Sequence, residues 1–215
     1  MFTSRTTRRL VQVTAALTLA ATPLLGMAES NYQTGVATAA AGAVARLDFS
    51  IIIPKVLFLG VGTGSAGTAV ANNTAIDLVT FDYTTNPGAV GLGTAAGTIT
   101  GNVVPVRVLG NNGAISLVAS TAGALTDGGT NTIPWSEITA VSSDAANLPS
   151  PAIPVTGNGA ATNVVVSSGK VTNRTANWTY SYANTTVVAA GTYGGAGTTA
   201  AAKNSGRVTY TATMP

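Results

Sequence analysis

Period-two alternation recurs along this chain and nowhere gives way to a sustained helical stripe, which restricts the fold to sheets. In Thr175 to Tyr182 the side chains of Trp178, Tyr180 and Tyr182 share one face, and Asn177, Thr179 and Ser181 share the other. The end of the chain repeats the pattern, with Val208, Tyr210, Ala212 and Met214 alternating with Arg207, Thr209, Thr211 and Thr213. Successive side chains of a strand point to opposite faces, so each stretch reads as a half-buried strand. Leu47, Phe49, Ile51 and Ile53 form a third apolar row opposite Arg46, Asp48 and Ser50, and Pro54 ends it. Together with Trp178, Tyr180, Tyr182, Val208 and Tyr210, these residues are the expected core.

Further strands are expected at Val56 to Val61, Ile76 to Tyr83, Val103 to Leu109, Ile115 to Ser120 and Val164 to Val166. Gly110-Asn111-Asn112-Gly113 separates two of these runs. Asn and Gly tolerate the positive φ angles of a tight turn, so the spacing predicts a β-hairpin there. Ile133 to Ile138 places Trp135 as a plug for one end of the core, and Ser136-Glu137 open at most one helical turn before the prolines that follow. The remaining stretches are rich in Gly, Ala, Pro and Asn. The expected fold is all-β: an antiparallel Ig-like β-sandwich of about seven to nine strands with long loops.

Before the first alternating row come two segments of different character. Arg5, Arg8 and Arg9 precede an uncharged, largely apolar run from Leu10 to Leu25, and Gly26-Met27-Ala28 offers small residues ahead of Glu29. This is the layout of a secretory signal peptide over residues 1–28, cleaved between Ala28 and Glu29; the run is too short and too Thr-interrupted for a membrane span. The expected location is therefore the periplasm, cell surface or medium, with no membrane span after signal removal. Residues 29–45, including Tyr32, Val36 and Ala45, are β-compatible but too poor in bulky side chains to bury themselves. They are expected to be flexible, or to act as a strand donated to another molecule. A single sandwich domain is expected over residues 46–215.

Removing the leader removes three of the 10 basic residues and none of the 7 acidic ones, leaving the charges balanced. The seven remaining cations are scattered. A nucleic-acid binder needs a dense basic face to neutralise phosphates, so no nucleic-acid partner is expected. With 8% charged residues and balanced signs, the surface must be Thr, Ser, Asn, Gly and Ala. Proteins that remain apart usually keep a net charge, so this composition suits a chain that meets copies of itself.

Histidine and cysteine are both absent. This removes the usual general base, the Ser-His-Asp and Cys-His arrangements, most zinc and copper sites, and any disulfide. The carboxylates Glu29, Asp48, Asp77, Asp82, Asp127, Glu137 and Asp144 show no spacing that selects an acid–base pair. Gly62-Thr63-Gly64-Ser65-Ala66-Gly67 matches a dinucleotide fingerprint, but no amphipathic helix follows to place an N-terminus beneath a pyrophosphate. Asp127-Gly128-Gly129-Thr130-Asn131 lacks the further acidic ligands of a calcium loop and reads as a solvated turn. The sequons at Asn72, Asn173, Asn177 and Asn184 read as outward polar positions. No enzyme, cofactor or metal is expected.

Ala190-Gly191-Thr192-Tyr193, followed by Gly206-Arg207-Val208-Thr209-Tyr210-Thr211, resembles the ending of spore-coat-protein-U-like and archaic chaperone–usher pilin domains. Leu47 to Pro54, Trp178 to Tyr182 and Val208 to Pro215 resemble a group of secreted proteobacterial proteins. The resemblance covers about a third of the chain. It implies an Ig-like sandwich, a role in a surface fibre, pilus-like filament or biofilm matrix, and self-association or other surface subunits as partners, with a periplasmic chaperone in attendance. Two features depart from that pattern. Pilins of this kind commonly carry a disulfide, which is absent, and residues 194–205 enlarge the loop before the last strand. The alternative expectation is a monomeric binding module that stacks glycans on exposed aromatics such as Trp135 and Trp178.

Overall fold

The computed structural model describes residues 29–32, 34, 42–65 and 70–215. The chain divides into two units, Met1–Ile53 and Pro54–Pro215. The described residues of the first unit form no helix or strand.

The second unit is all-β, antiparallel and sandwich-like. One sheet contains β1 (Leu57–Val61), β4 (Val103–Gly110), β11 (Thr172–Tyr182) and β8 (Ile138–Ser142), in the order β1-β4-β11-β8. The other contains β10 (Thr162–Val164), β5 (Ile115–Thr121) and β12 (Val208–Thr213), in the order β10-β5-β12. β9 (Gly157–Asn158) continues the β10 edge of β5 by pairing with Ser120 and Thr121. Two small ribbons complete the set: β2 (Thr80–Asp82) with β3 (Thr98–Thr100), and β6 (Leu125–Thr126) with β7 (Thr132–Ile133). A short helix, α1 (Ala200–Ser205), precedes the last strand, with the Thr199 hydroxyl accepting from the Ala202 N–H as its N-cap.

Alternation builds the interior. Val104, Val106 and Val108 of β4 face Ile115, Leu117 and Ala119 of β5 across the sandwich, and all six are buried. Trp178, wholly buried on β11, packs its ring 5.1 Å from that of Tyr210 on β12 and donates its Nε1–H to the Leu148 carbonyl at 3.4 Å. The Tyr180 and Tyr210 hydroxyls meet at 2.8 Å, joining the two sheets by a hydrogen bond inside the core. Burial raises the pKa of both phenols, that of Tyr210 strongly, so the pair stays neutral and serves to tie the layers together.

Two sequence expectations are corrected. β4 and β5 do not form a hairpin, because they lie in different sheets and Gly110–Gly113 is an arch between the layers. The arch is held from outside: Asn111 Oδ1 accepts from the Val56 N–H at 2.8 Å, and Asn111 Nδ2 donates to the Pro54 carbonyl at 2.8 Å. The apolar row Leu47, Phe49, Ile51 and Ile53 is not core. These side chains are 72%, 85%, 84% and 76% exposed, and no strand forms there. Alternation makes a segment fit to pair, but burial needs a neighbouring strand, and the first sheet begins only at Leu57.

The other core expectations divide by position. Trp178 and Tyr180 are buried, whereas Tyr182, Val208 and Tyr210 are half-buried. Within Ile76 to Tyr83 only Thr80–Asp82 pairs. Trp135 plugs the core as expected, 4% exposed and donating Nε1–H to the Gly123 carbonyl at 2.6 Å. It opens a single 3-10 turn, Trp135–Glu137.

Candidate assembly edge

β12 pairs with β5 along Val208–Thr213 and with no other described strand. Its second edge therefore presents unpaired backbone N–H and C=O groups, the feature that templates addition of another strand. The inward row behaves accordingly: Tyr210, Ala212 and Met214 pack against the core yet remain partly exposed, whereas Ile115, Leu117 and Ala119 of the flanked strand β5 are 0% exposed. Thr209, Thr211 and Thr213 on the outer face are exposed.

The last residue of the chain is fastened beside the start of the compact unit. Lys55 Nζ and Asn112 Nδ2 both donate to the Pro215 carbonyl, the latter at 2.6 Å. Pro54, which accepts from Asn111, therefore lies at the C-terminal end of β12. In the segment before it, Leu47, Phe49, Ile51 and Ile53 leave about 1.5–3 kcal/mol of burial unrealised per side chain. Of the residues expected to form a donated strand, Tyr32 is 87% exposed and Ala45 is exposed, while Val36 lies outside the described residues. Ala28 of the expected cleavage site also lies outside them, and Glu29 is exposed, 3.7 Å from Arg46.

Most carboxylates are taken up locally. Asp77 accepts from the N–H and hydroxyl of Thr63, Asp82 from the Thr84 N–H, Asp127 from Gly129 and Asn131, and Asp144 from Asn147. Among the described residues no group of three His, Cys, Asp or Glu is placed to hold a metal ion. The Gly62–Gly67 motif is followed by no helix in its described part, which excludes Ala66 and Gly67.

The aromatic platform is corrected for its two indoles: Trp135 and Trp178 are 4% and 0% exposed, and a stacking surface must be reachable. Phe81, Tyr83 and Tyr182 form a half-buried cluster, with ring centroids 6.1 Å apart in each neighbouring pair. Of the sequon asparagines, Asn173 and Asn177 point outward from β11, but Asn184 is only 1% exposed.

Two groups absent from the expected core organise the loops. Asn184 takes a positive φ of 53° and bonds the 89–94 loop through its side chain. Glu137, buried at 9% exposure, accepts from the Thr185 hydroxyl at 2.5 Å and the Thr185 N–H at 3.0 Å. The Thr185 hydroxyl, then its N–H, holds the Glu137 carboxyl below its ordinary pKa against the opposing effect of burial. A carboxyl with a lowered folded pKa stabilises the fold above its unfolded value, about 4.5, and that contribution is lost as pH falls through the folded pKa. Urea midpoints followed from about pH 7 to about pH 3 are therefore expected to fall more steeply in the native protein than in Glu137→Gln. Parallel curves would remove Glu137 from the acid response.

No family model, curated protein or solved structure matches the chain.

Proposed function

We propose that this protein is an exported structural subunit of a surface fibre or extracellular matrix, assembling by β-strand addition. The observation that carries the reading is the unpaired edge of β12, whose inward side chains pack on the core yet stay half-buried. An added strand satisfies the free backbone groups and completes the burial of that row. The balanced charge of residues 29–215 supports association, because copies meet without net repulsion. A periplasmic chaperone fits the same reading by covering the edge until subunits meet.

The exported protein is expected to begin at Glu29 on N-terminal sequencing. Sedimentation and electron microscopy of that form are expected to show concentration-dependent oligomers or fibres. A monomer at every accessible concentration would refute the assembly reading.

A further inference from the structure

Just after β11 ends at Tyr182, a hydroxyl, a carboxylate and a backbone donor converge on one peptide bond. We propose that Asn184–Thr185 is a self-processing site, at which the Thr185 hydroxyl attacks the Asn184 carbonyl and Glu137 carries the proton. Nucleophile and base are in contact, because Thr185 Oγ1 donates to Glu137 Oε1 at 2.5 Å. The other carboxylate oxygen, Oε2, accepts from the Thr185 N–H at 3.0 Å, so Glu137 touches both the attacking atom and the leaving nitrogen. The Asn184 carbonyl accepts from the Gly93 N–H at 2.8 Å, a donor already placed where negative charge develops on attack. Asn184 holds a left-handed backbone, φ 53°, immediately before the bond, and strained backbone of this kind collects at reacting positions. Its buried side chain bonds Ala89, Gly91 and Thr94, which fixes the loop that carries Gly93.

The reaction needs water and nothing else from outside. As Thr185 Oγ1 bonds to the Asn184 carbonyl carbon, closing a five-membered ring, its proton passes to Glu137. The protonated carboxyl gives a proton to the Thr185 nitrogen and the C–N bond breaks. An ester between Asn184 and the Thr185 hydroxyl results, with a free α-amine on Thr185. Water then hydrolyses the ester, restoring the hydroxyl and leaving a carboxylic acid on Asn184. Thr185 is exposed, so water reaches the ester, whereas Glu137 is buried, and its bonds from Thr185 hold its carboxyl below the ordinary value and so ionised. Thr63 donates the same two bonds to Asp77, but that carboxylate is exposed and the preceding positive φ belongs to Gly62, which bears it without strain. The Gly62–Thr63 bond is therefore the internal comparison, expected to stay whole. After the cut, residues 185–215 remain attached through the β12–β5 ladder and the packing of Tyr210 on Trp178. No second molecule takes part, so this proposal stands or falls apart from the assembly reading.

Denaturing mass spectrometry of the folded protein after incubation at neutral pH is expected to show a fragment 185–215 with Thr185 as a new N-terminus. Hydroxylamine attacks esters, so it is expected to speed the cut and leave a hydroxamate on Asn184. The mass of the fragment separates this from its action at Asn112–Gly113 and Asn158–Gly159. Thr185→Ser keeps the hydroxyl and is expected to cut, whereas Thr185→Val, of similar shape, is expected to stay whole. Glu137→Gln is expected to slow the cut about 100-fold, the lower end of the effect of a positioned proton carrier. A folded native protein that stays whole in hydroxylamine overturns the proposal. So does a cut that Thr185→Val or Glu137→Gln makes at the native rate, or one that proceeds equally fast in urea-unfolded protein.

Discussion

Replacing Trp178 by alanine is expected to cost about 3–5 kcal/mol of folding stability, the range for a large aromatic truncated in a core that cannot collapse around the loss. Trp178 is fully buried at the centre of β11, between the backbone ladders of β4 and β8, whose positions the remaining hydrogen bonds fix. The change empties the space beside Tyr210 and strips the Leu148 carbonyl of its indole donor. That carbonyl keeps the Ser142 hydroxyl at 2.7 Å, so the main loss is packing rather than an orphaned polar group. Trp178→Phe, which retains most of the volume, is expected to recover more than half of the deficit. Chemical denaturation checks both values. A loss below about 1 kcal/mol for the alanine variant would mean that the two sheets are not packed through this residue.

Asn184→Ala is expected to cost about 1–3 kcal/mol, although the residue lies outside every strand. Its side chain donates to the Ala89 and Thr94 carbonyls at 2.7 and 3.1 Å and accepts from the Gly91 N–H at 2.7 Å. Alanine leaves the Gly91 N–H without its acceptor, whereas the Ala89 carbonyl keeps the Leu92 N–H and the Thr94 hydroxyl and the Thr94 carbonyl keeps the Tyr83 hydroxyl; alanine also tolerates the positive φ less well than asparagine. Asn184→Asp keeps the acceptor and the backbone preference but loses both donations, so it should fall between alanine and the native residue. Amide exchange should accelerate over residues 87–95 first, because that loop is what the side chain holds. Uniform acceleration across β4 and β11 would instead assign Asn184 to the global core.

The parts of the fold legible in the sequence are those set by local alternation. β4, β5, β11 and β12 announce themselves because each buries one face, and inward and outward positions follow from a period of two. Partners are not local. The residues of Gly110–Gly113 suit a tight hairpin, yet the chain turns through them from one sheet into the other, because β4 pairs with β1 and β11 instead. Helix α1 is not legible in the sequence because six residues of Ala, Lys, Asn and Ser carry no apolar stripe; its local signal is the Thr199 cap alone. Asn184 reads as a sequon on an outward position, and only tertiary structure shows a buried bracket for a distant loop.

The candidate site was legible by halves. The Val208–Met214 row is plain in the sequence, but its open edge depends on strand order. Leu47–Ile53 alternates like a strand of the chain's own core, yet it is exposed and forms no strand. The pattern records what a segment is fit to pair with and is silent on whether the partner lies in the same molecule.

Residue-resolved amide hydrogen exchange on dilute and assembled protein tests the central claim most directly. The β12 amides that face away from β5 are expected to exchange freely when dilute and to become protected on assembly. Assembled protein in which that edge of β12 still exchanges at the dilute rate would contradict the account.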